Sequence, residues 1–171
     1  MALIKTVRNF TPEISETTWL ADNAVVVGDV KIGEKCSLWF HAVVRGDVNS
    51  VRIGHRVNIQ DGAIIHCTYE KTETHIGDNV SIGHRAIVHG CTVEDNALIG
   101  MGAIVMDNAV IPSDCIVAAG ALVPENKILE SGWIYAGVPA RKFKPLTDEQ
   151  RNFFIERTAK NYVEYAGWMK V

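Results

Sequence analysis

The chain has 171 residues, 17 Lys and Arg against 20 Asp and Glu, and a formal net charge of −3. That balance offers no electrostatic footprint for DNA, RNA or anionic lipid, and no apolar stretch nears the roughly 20 residues a membrane helix needs, so neither nucleic acid nor a membrane is an expected partner. Within the 47% hydrophobic fraction, 20 Val and 17 Ile stand against 7 Leu, a bias toward residues that suit pleated surfaces better than helices, which excludes a mainly helical protein. The N-terminus Met1-Ala2-Leu3-Ile4-Lys5 lacks the basic-then-apolar layout of a signal peptide, and the expected compartment is the cytoplasm.

From Ile14 onward the chain carries a six-residue period. Ile14, Leu20, Val26, Ile32, Leu38 and Val44 stand six apart. A nine-residue step leads to Ile53, Ile59 and Ile65, and an eleven-residue step to Ile76, Ile82 and Val88. A five-residue step then reaches Val93, Ile99 and Val105, and six further on begin Ile111, Val117 and Val123. Two residues before these aliphatics lies a smaller slot, filled by Ala24, Ala42, Ala63, Ala86, Ala97, Ala103, Ala109 and Ala121. Cys36, Cys91 and Cys115 take the same slot and read as buried reduced thiols acting as small hydrophobes. With Cys67 they form no C-x-x-C pair, which excludes a zinc knuckle or a thioredoxin-type motif. Glycine follows the aliphatic residue at Gly33, Gly54, Gly77, Gly83 and Gly100, a placement that suits tight corners.

One large and one small inward residue per hexad is the signature of a parallel β-helix. The expected fold is all-β: a left-handed parallel β-helix of hexapeptide repeats, about six triangular coils stacked about 4.8 Å apart, with a C-terminal α-helix. Every irregular step falls between groups of three, so residues 45–52, residues 66–75 and the shortened step before Val93 share one corner. Residues 124–146 leave the pattern, punctuated by Pro124, Pro139 and Pro145. Residues 1–146 therefore form the β-helix domain with its lead-in and connecting segment. Thr147-Asp148-Glu149-Gln150 reads as a capping box that starts a helix within 147–171, running to about Ala166, with Phe154, Ala159, Tyr162, Val163 and Ala166 on the face that packs along a wall of the prism.

The period gives each polar residue a position. The residue after an inward aliphatic points outward, and in the third hexads of coils two, three and four it is Arg45, His66 and His89. His66 and His89 are vertical neighbours about one coil spacing apart, close enough to converge on one ion whose Zn–N bonds are about 2.0–2.1 Å. His84 lies two residues past Ile82 on another wall. A threefold axis would set that wall against the His66/His89 wall of a neighbouring copy, which suggests a trimer with three shared sites. Gln60 and Asp61 lie directly below Gly83 and His84, and Arg45 and Asp47 lie on the corner below His66. For Arg45, Asp47 and Asp61, an assembly salt bridge at a subunit seam and a catalytic role both stay open. His41, His55 and His75 read as ordinary surface or core histidines.

Arg45-Gly46-Asp47, Asn58-Ile59-Gln60-Asp61, His66, Ile82-Gly83-His84 and His89-Gly90 together resemble the motif series of gamma-class carbonic anhydrases and their bacterial homologues. The resemblance extends over nearly the whole chain, including Gly137-Val138-Pro139-Ala140 and Asn161-Tyr162-Val163. The Gly-x-Pro-Ala segment is shared with hexapeptide acyltransferases, whereas the three spaced histidines with Gln60-Asp61 discriminate. The resemblance implies a homotrimer that reversibly hydrates carbon dioxide to bicarbonate. It implies zinc, or iron or cobalt, at each interface, bound by His66 and His89 of one chain and His84 of the next. Gln60 would orient the metal's water, Arg45 with Asp47 and Asp61 would tie the seam, and Tyr162 would approach the metal from the helix. The archetypal archaeal enzyme has a long acidic proton-shuttling loop after its first histidine; here Cys67 to His75 is short, with only Glu70 and Glu73, which implies slower turnover.

Two other functions fit the same pattern. A hexapeptide acyltransferase would carry coenzyme A along the groove between prisms and use a histidine as general base, but it needs no metal and gives no reason to stack His66 beneath His89. A metal-binding scaffold with little catalysis is the other.

Overall fold

A computed structural model describes residues 1–169. The inward aliphatics stack in three uninterrupted columns of parallel, in-register strand pairs. The first wall aligns Ile14, Ile32, Ile53, Ile76, Val93 and Ile111. The second aligns Leu20, Leu38, Ile59, Ile82, Ile99 and Val117. The third aligns Val26, Val44, Ile65, Val88, Val105 and Val123. All but Ile14 and Leu20, which face the open first coil, are buried, and so are the eight alanines of the small slot.

The walls differ in how they meet. Strands Val25–Ile32 and Val43–Ile53 run straight around the third corner, so the third and first walls merge into one 11-stranded sheet while the second wall forms an 8-stranded one. The corner between the first and second walls is turned by a column of left-handed residues, Lys35, Arg56, Asn79, Asn96 and Asp114, all with φ of 54–56° within rounding of one another. Asn and Asp tolerate that conformation through local hydrogen bonds, and here they form a ladder: Arg56 Nε donates to Asn79 Oδ1 at 2.6 Å and Asn79 Nδ2 to Asn96 Oδ1 at 3.0 Å.

The glycines that follow inward aliphatics have a different cause from the expected turn conformation. Gly33, Gly54, Gly77, Gly83 and Gly100 do not sit at positive φ; they lie where the backbone of the next coil crosses too closely for a side chain. A Cβ on Gly100 would stand 2.6 Å from the Ala118 carbonyl carbon, against fixed backbone.

Residues 124–146 do not abandon the prism as expected. Ile128 bridges Val110, and Tyr135 pairs with Val117, so Leu129 and Tyr135, six apart and both 3% exposed, extend two columns into most of a seventh coil. The parallel ladder then ends because Trp133–Ala136 pairs antiparallel with Arg141–Pro145. That last strand is exposed and carries Arg141, Lys142, Lys144 and Pro145, charges and a proline that discourage further edge pairing.

The capping box at Thr147 forms as expected, with Gln150 N–H donating to Thr147 Oγ1 and the Gln150 side chain accepting from Thr147 N–H. Arg151–Glu156 is wound as a π-helix before regular α-helix resumes at Arg157–Trp168. The wider turns rotate the phase of the first segment, so Ile155 is buried with Leu98, Ile116, Ile134 and Leu146, and Phe154, expected on that face, is exposed. Ala159 and Ala166 are buried and Tyr162 and Val163 half-buried. Tyr162 packs edge-on to Trp39 at 5.3 Å; the helix thus runs along the second wall from the last coils back toward the second.

Two outcomes follow. Gly100→Ala should cost about 1–3 kcal/mol of stability in urea titration, the range for overpacked sites. Gly167→Ala, where an added Cβ meets nothing within 4 Å, should be neutral or gain up to about 1 kcal/mol of helix propensity; equal losses would contradict the close-approach explanation. All four cysteines are buried, and burial pushes the Cys36 and Cys67 thiols up to about 11 and those of Cys91 and Cys115 up to about 12. A disulfide-exchange reagent at pH 8 should therefore titrate no thiol in the folded protein and all four once it is unfolded.

Candidate metal centre

His66 and His89 are register partners in adjacent coils of the third wall, and their rings meet edge to face with centroids 5.1 Å apart. His66 Nδ1 and His89 Nε2 face each other at 3.1 Å. The far side of each ring is held by a carboxylate. Asp47 Oδ1 lies 3.1 Å from His66 Nε2, and Asp107 Oδ1 lies 2.5 Å from His89 Nδ1.

Those carboxylates fix the tautomers. Burial raises the Asp47 and Asp107 carboxyls, but it is outweighed by hydrogen bonds from Arg45 and His66 on Asp47, and from Thr68 and His89 on Asp107, so both lie below the usual carboxylate range. An ionised carboxylate only accepts, so the neutral imidazoles carry their protons on His66 Nε2 and His89 Nδ1. For His66, burial is the main cause of a lowered pKa, which favours this neutral form. Two nitrogen lone pairs then face one another, that of His66 also reached by the Arg45 guanidinium, and a cation placed between the rings would accept both. Nitrogens 3.1 Å apart and each about 2.0–2.1 Å from one zinc ion would subtend roughly 100°, close to tetrahedral. The donor pair fits a divalent metal of the kind imidazole prefers.

Arg45 completes this corner. Its guanidinium bonds Asp47 Oδ2 at 2.5 Å and reaches His66 Nδ1 at 3.4 Å. The expected Arg45–Asp47–His66 grouping is therefore one network.

The second grouping stands on the second wall. Register sets Asp61 beside His84, and Asp61 Oδ2 lies 2.8 Å from His84 Nδ1; each of the three histidines thus has its own carboxylate. Gln60 is 7% exposed, and its amide nitrogen donates to buried Asn58, which donates in turn to Ser81. That leaves the Gln60 oxygen as the atom able to engage a ligand. Gln60 and His84 line a groove of about 510 Å³ whose walls include Leu98, Met101, Ile116 and Phe154. Tyr162 stays with this half of the molecule: burial, then the Asp61 carboxylate, pushes its phenol up to about 12, so it is a neutral hydrogen-bonding group at any physiological pH.

Among the described residues of one chain, no three His, Cys, Asp or Glu side chains converge on a common point. His66 and His89 come together; His84, with Gln60, Asp61 and Tyr162, belongs to a different wall. His41, His55 and His75 are exposed and engage Asn23, Glu34 N–H and Glu73 respectively. Asp107 was not anticipated from the sequence. It lies two residues past inward Val105, one step beyond the outward column that carries Arg45, His66 and His89.

Comparison with known proteins agrees with this architecture. Residues 73–106 match the sequence profile of the hexapeptide repeat of succinyl-transferase. The chain is 44% identical to a carbonic anhydrase of Geobacillus kaustophilus over 94% of this chain and 87% of that one. It is 42% identical to the mitochondrial gamma carbonic anhydrase 2 of Arabidopsis thaliana over 91% of this chain, spanning 58% of that longer protein. Among solved structures, a hexapeptide transferase family protein from Anaplasma phagocytophilum superposes with a TM-score of 0.91 at 38% identity, with 96% of each chain covered. With its imidazole and carboxylate pairs set on hexapeptide coils, the chain belongs to the gamma-class carbonic anhydrase family.

Proposed function

We propose that this protein catalyses the reversible hydration of carbon dioxide to bicarbonate, with a divalent metal, zinc or else iron or cobalt, shared between neighbouring copies in a homotrimer. The observation that carries the reading is the pair of ring nitrogens of His66 and His89 facing each other at 3.1 Å, two ligands with no third beside them among the described residues of one chain. His84 of a second copy is the third ligand in this reading, since it is half exposed on another wall. When bound, the metal lowers the pKa of a coordinated water toward about 7.

The chain's own groups do the rest. Gln60 is held by Asn58 through its amide nitrogen, and its oxygen orients the reacting water by accepting a hydrogen bond from it. Asp47, Asp107 and Asp61 fix the three imidazoles in the tautomers that ligation needs. Arg45 neutralises Asp47 at the seam. The apolar wall of the groove beside His84 suits an uncharged substrate that has no hydrogen to donate. Tyr162 holds its proton and serves as a hydrogen-bond donor. Glu70 and Glu73 are the carboxylates nearest in sequence to His66 on its loop, a sparse path for exporting protons to buffer.

The acyltransferase reading keeps one supporting observation, the size and apolarity of the groove lined by His84, alongside the transferase name of the Anaplasma relative. The buried thiols exclude a cysteine acyl-enzyme in that case, because their raised pKa values leave no thiolate at neutral pH.

Stopped-flow hydration of carbon dioxide by zinc-loaded protein should exceed the uncatalysed rate, and His89→Ala should return it to that rate; overlaid traces for both proteins would sink the proposal, and acetyl-CoA consumption by metal-stripped protein would put the transferase in its place. Tyr162→Phe tests the role of the phenol. Because that group stays protonated to about pH 12, the variant should lower the rate while keeping the midpoint of the pH–rate profile, and a displaced midpoint would show the phenol titrating in the reaction.

A further inference from the structure

We infer that Asp107 is the positioning residue for His89 and that, through Thr68, it couples this ligand to the loop after His66. The inference rests on the metal-centred reading above and adds to it a residue and a linkage.

Asp107 uses both carboxylate oxygens. Oδ1 accepts from His89 Nδ1, and Oδ2 accepts from the Thr68 hydroxyl, each at 2.5 Å. Thr68 N–H donates to Thr72 Oγ1 at 3.0 Å. The start of the loop is thus folded onto the carboxylate that holds His89. Its end is tied as well: Thr74 Oγ1 donates to the His66 carbonyl at 2.6 Å and accepts from Gly90 N–H at 2.9 Å. Both anchors of the loop therefore close on the two histidines or on the residue beside them.

The backbone is shaped for this contact. Asp107 is set between the coils below and above it, through Asn108 N–H donating to the Gly90 carbonyl at 2.7 Å and Asn126 N–H to the Asp107 carbonyl at 2.9 Å. Gly90, at φ +56°, has no side chain where one would strike both the Asp107 carboxylate and the Thr72 hydroxyl. Any larger residue at position 90 would force the Asp107 carboxylate and the Thr72 hydroxyl to shift.

The chemistry needs this particular partner. A neutral imidazole has one N–H and one lone pair, and a carboxylate on Nδ1 places the lone pair on Nε2, facing His66. The same carboxylate also holds Thr68, so in this inference order in the loop and affinity for the metal are coupled, and such a coupling is reciprocal.

The test uses the full-length chain with Asp107→Asn, Thr68→Val, Thr68→Ser and the Asp107→Asn/Thr68→Val pair. Ring-nitrogen NMR shifts of His89 in the metal-free protein report the tautomer, and competition titration reports zinc affinity. The parent should show Nδ1–H. Asp107→Asn should lose that fixed tautomer and weaken zinc binding about 10–100-fold; Thr68→Val should weaken it by a smaller factor, Thr68→Ser should restore it, and the double variant should be no worse than Asp107→Asn. A lowered folding midpoint with tautomer and zinc affinity unchanged would make Asp107 a purely structural residue, and fully additive losses in the double variant would break the link through Thr68. Should the parent bind no zinc, the metal reading fails, while the tautomer in metal-free protein still decides whether Asp107 positions His89. If Asp107→Asn does not fold, the Thr68 pair of variants carries the test.

Discussion

Everything in this molecule depends on the register of one coil upon the next. Each coil lends its backbone N–H and C=O groups to its neighbours, and because the strands are parallel and unshifted along three columns, like positions fall above like positions. A slip of one residue would turn every inward aliphatic to solvent, and the interior of alternating large and small side chains leaves no alternative pairing of comparable packing. The same constraint fixes the outside. His89 lies over His66 and Arg45 beneath it, because Val88, Ile65 and Val44 are stacked within.

Upon that rigid ruler the chemistry is confined to the corners. The interior is inert: four thiols held protonated by burial and aliphatic columns with no polar opening. The titratable groups gather outside, each imidazole with its own carboxylate, Asp47 for His66, Asp107 for His89 and Asp61 for His84. Carboxylates that accept a ring proton leave the opposite nitrogen as an acceptor, and two such nitrogens set 3.1 Å apart are the pair that the proposed metal would join. His66 and His89 lie on one wall and His84 on another, so in the proposed trimer a neighbouring copy would complete the site.

The columns were legible because hexad spacing is a direct imprint of the wall geometry, and so were the His66/His89 neighbours, the Asp61–His84 pair and the capping box. The seventh coil was not, although Leu129 and Tyr135 keep the six-residue step. Lys127 and Trp133 stand in the slot that elsewhere holds alanine, cysteine, threonine or valine, so the large and small alternation that marks a coil is lost just where the prism closes. Asp107 escaped because its meaning lies in position, not type: it reaches His89 from a corner one residue beyond the outward column. Ile155 took the place expected of Phe154 because nothing in Arg151–Glu156 announces a π turn, and the repeated glycines serve close passage of the neighbouring coil where a turn conformation was expected. In each case the missing information was a distance between coils, which a linear period does not carry.

Native mass spectrometry of the zinc-reconstituted protein tests the shared centre most directly, because it counts chains and ions in the same particle. A species of three chains carrying three ions, with metal-free chains where the trimer is dissociated, is the predicted result. A monomer that retains its metal, or a trimer that binds none, would contradict a centre completed by His84 of a neighbouring copy.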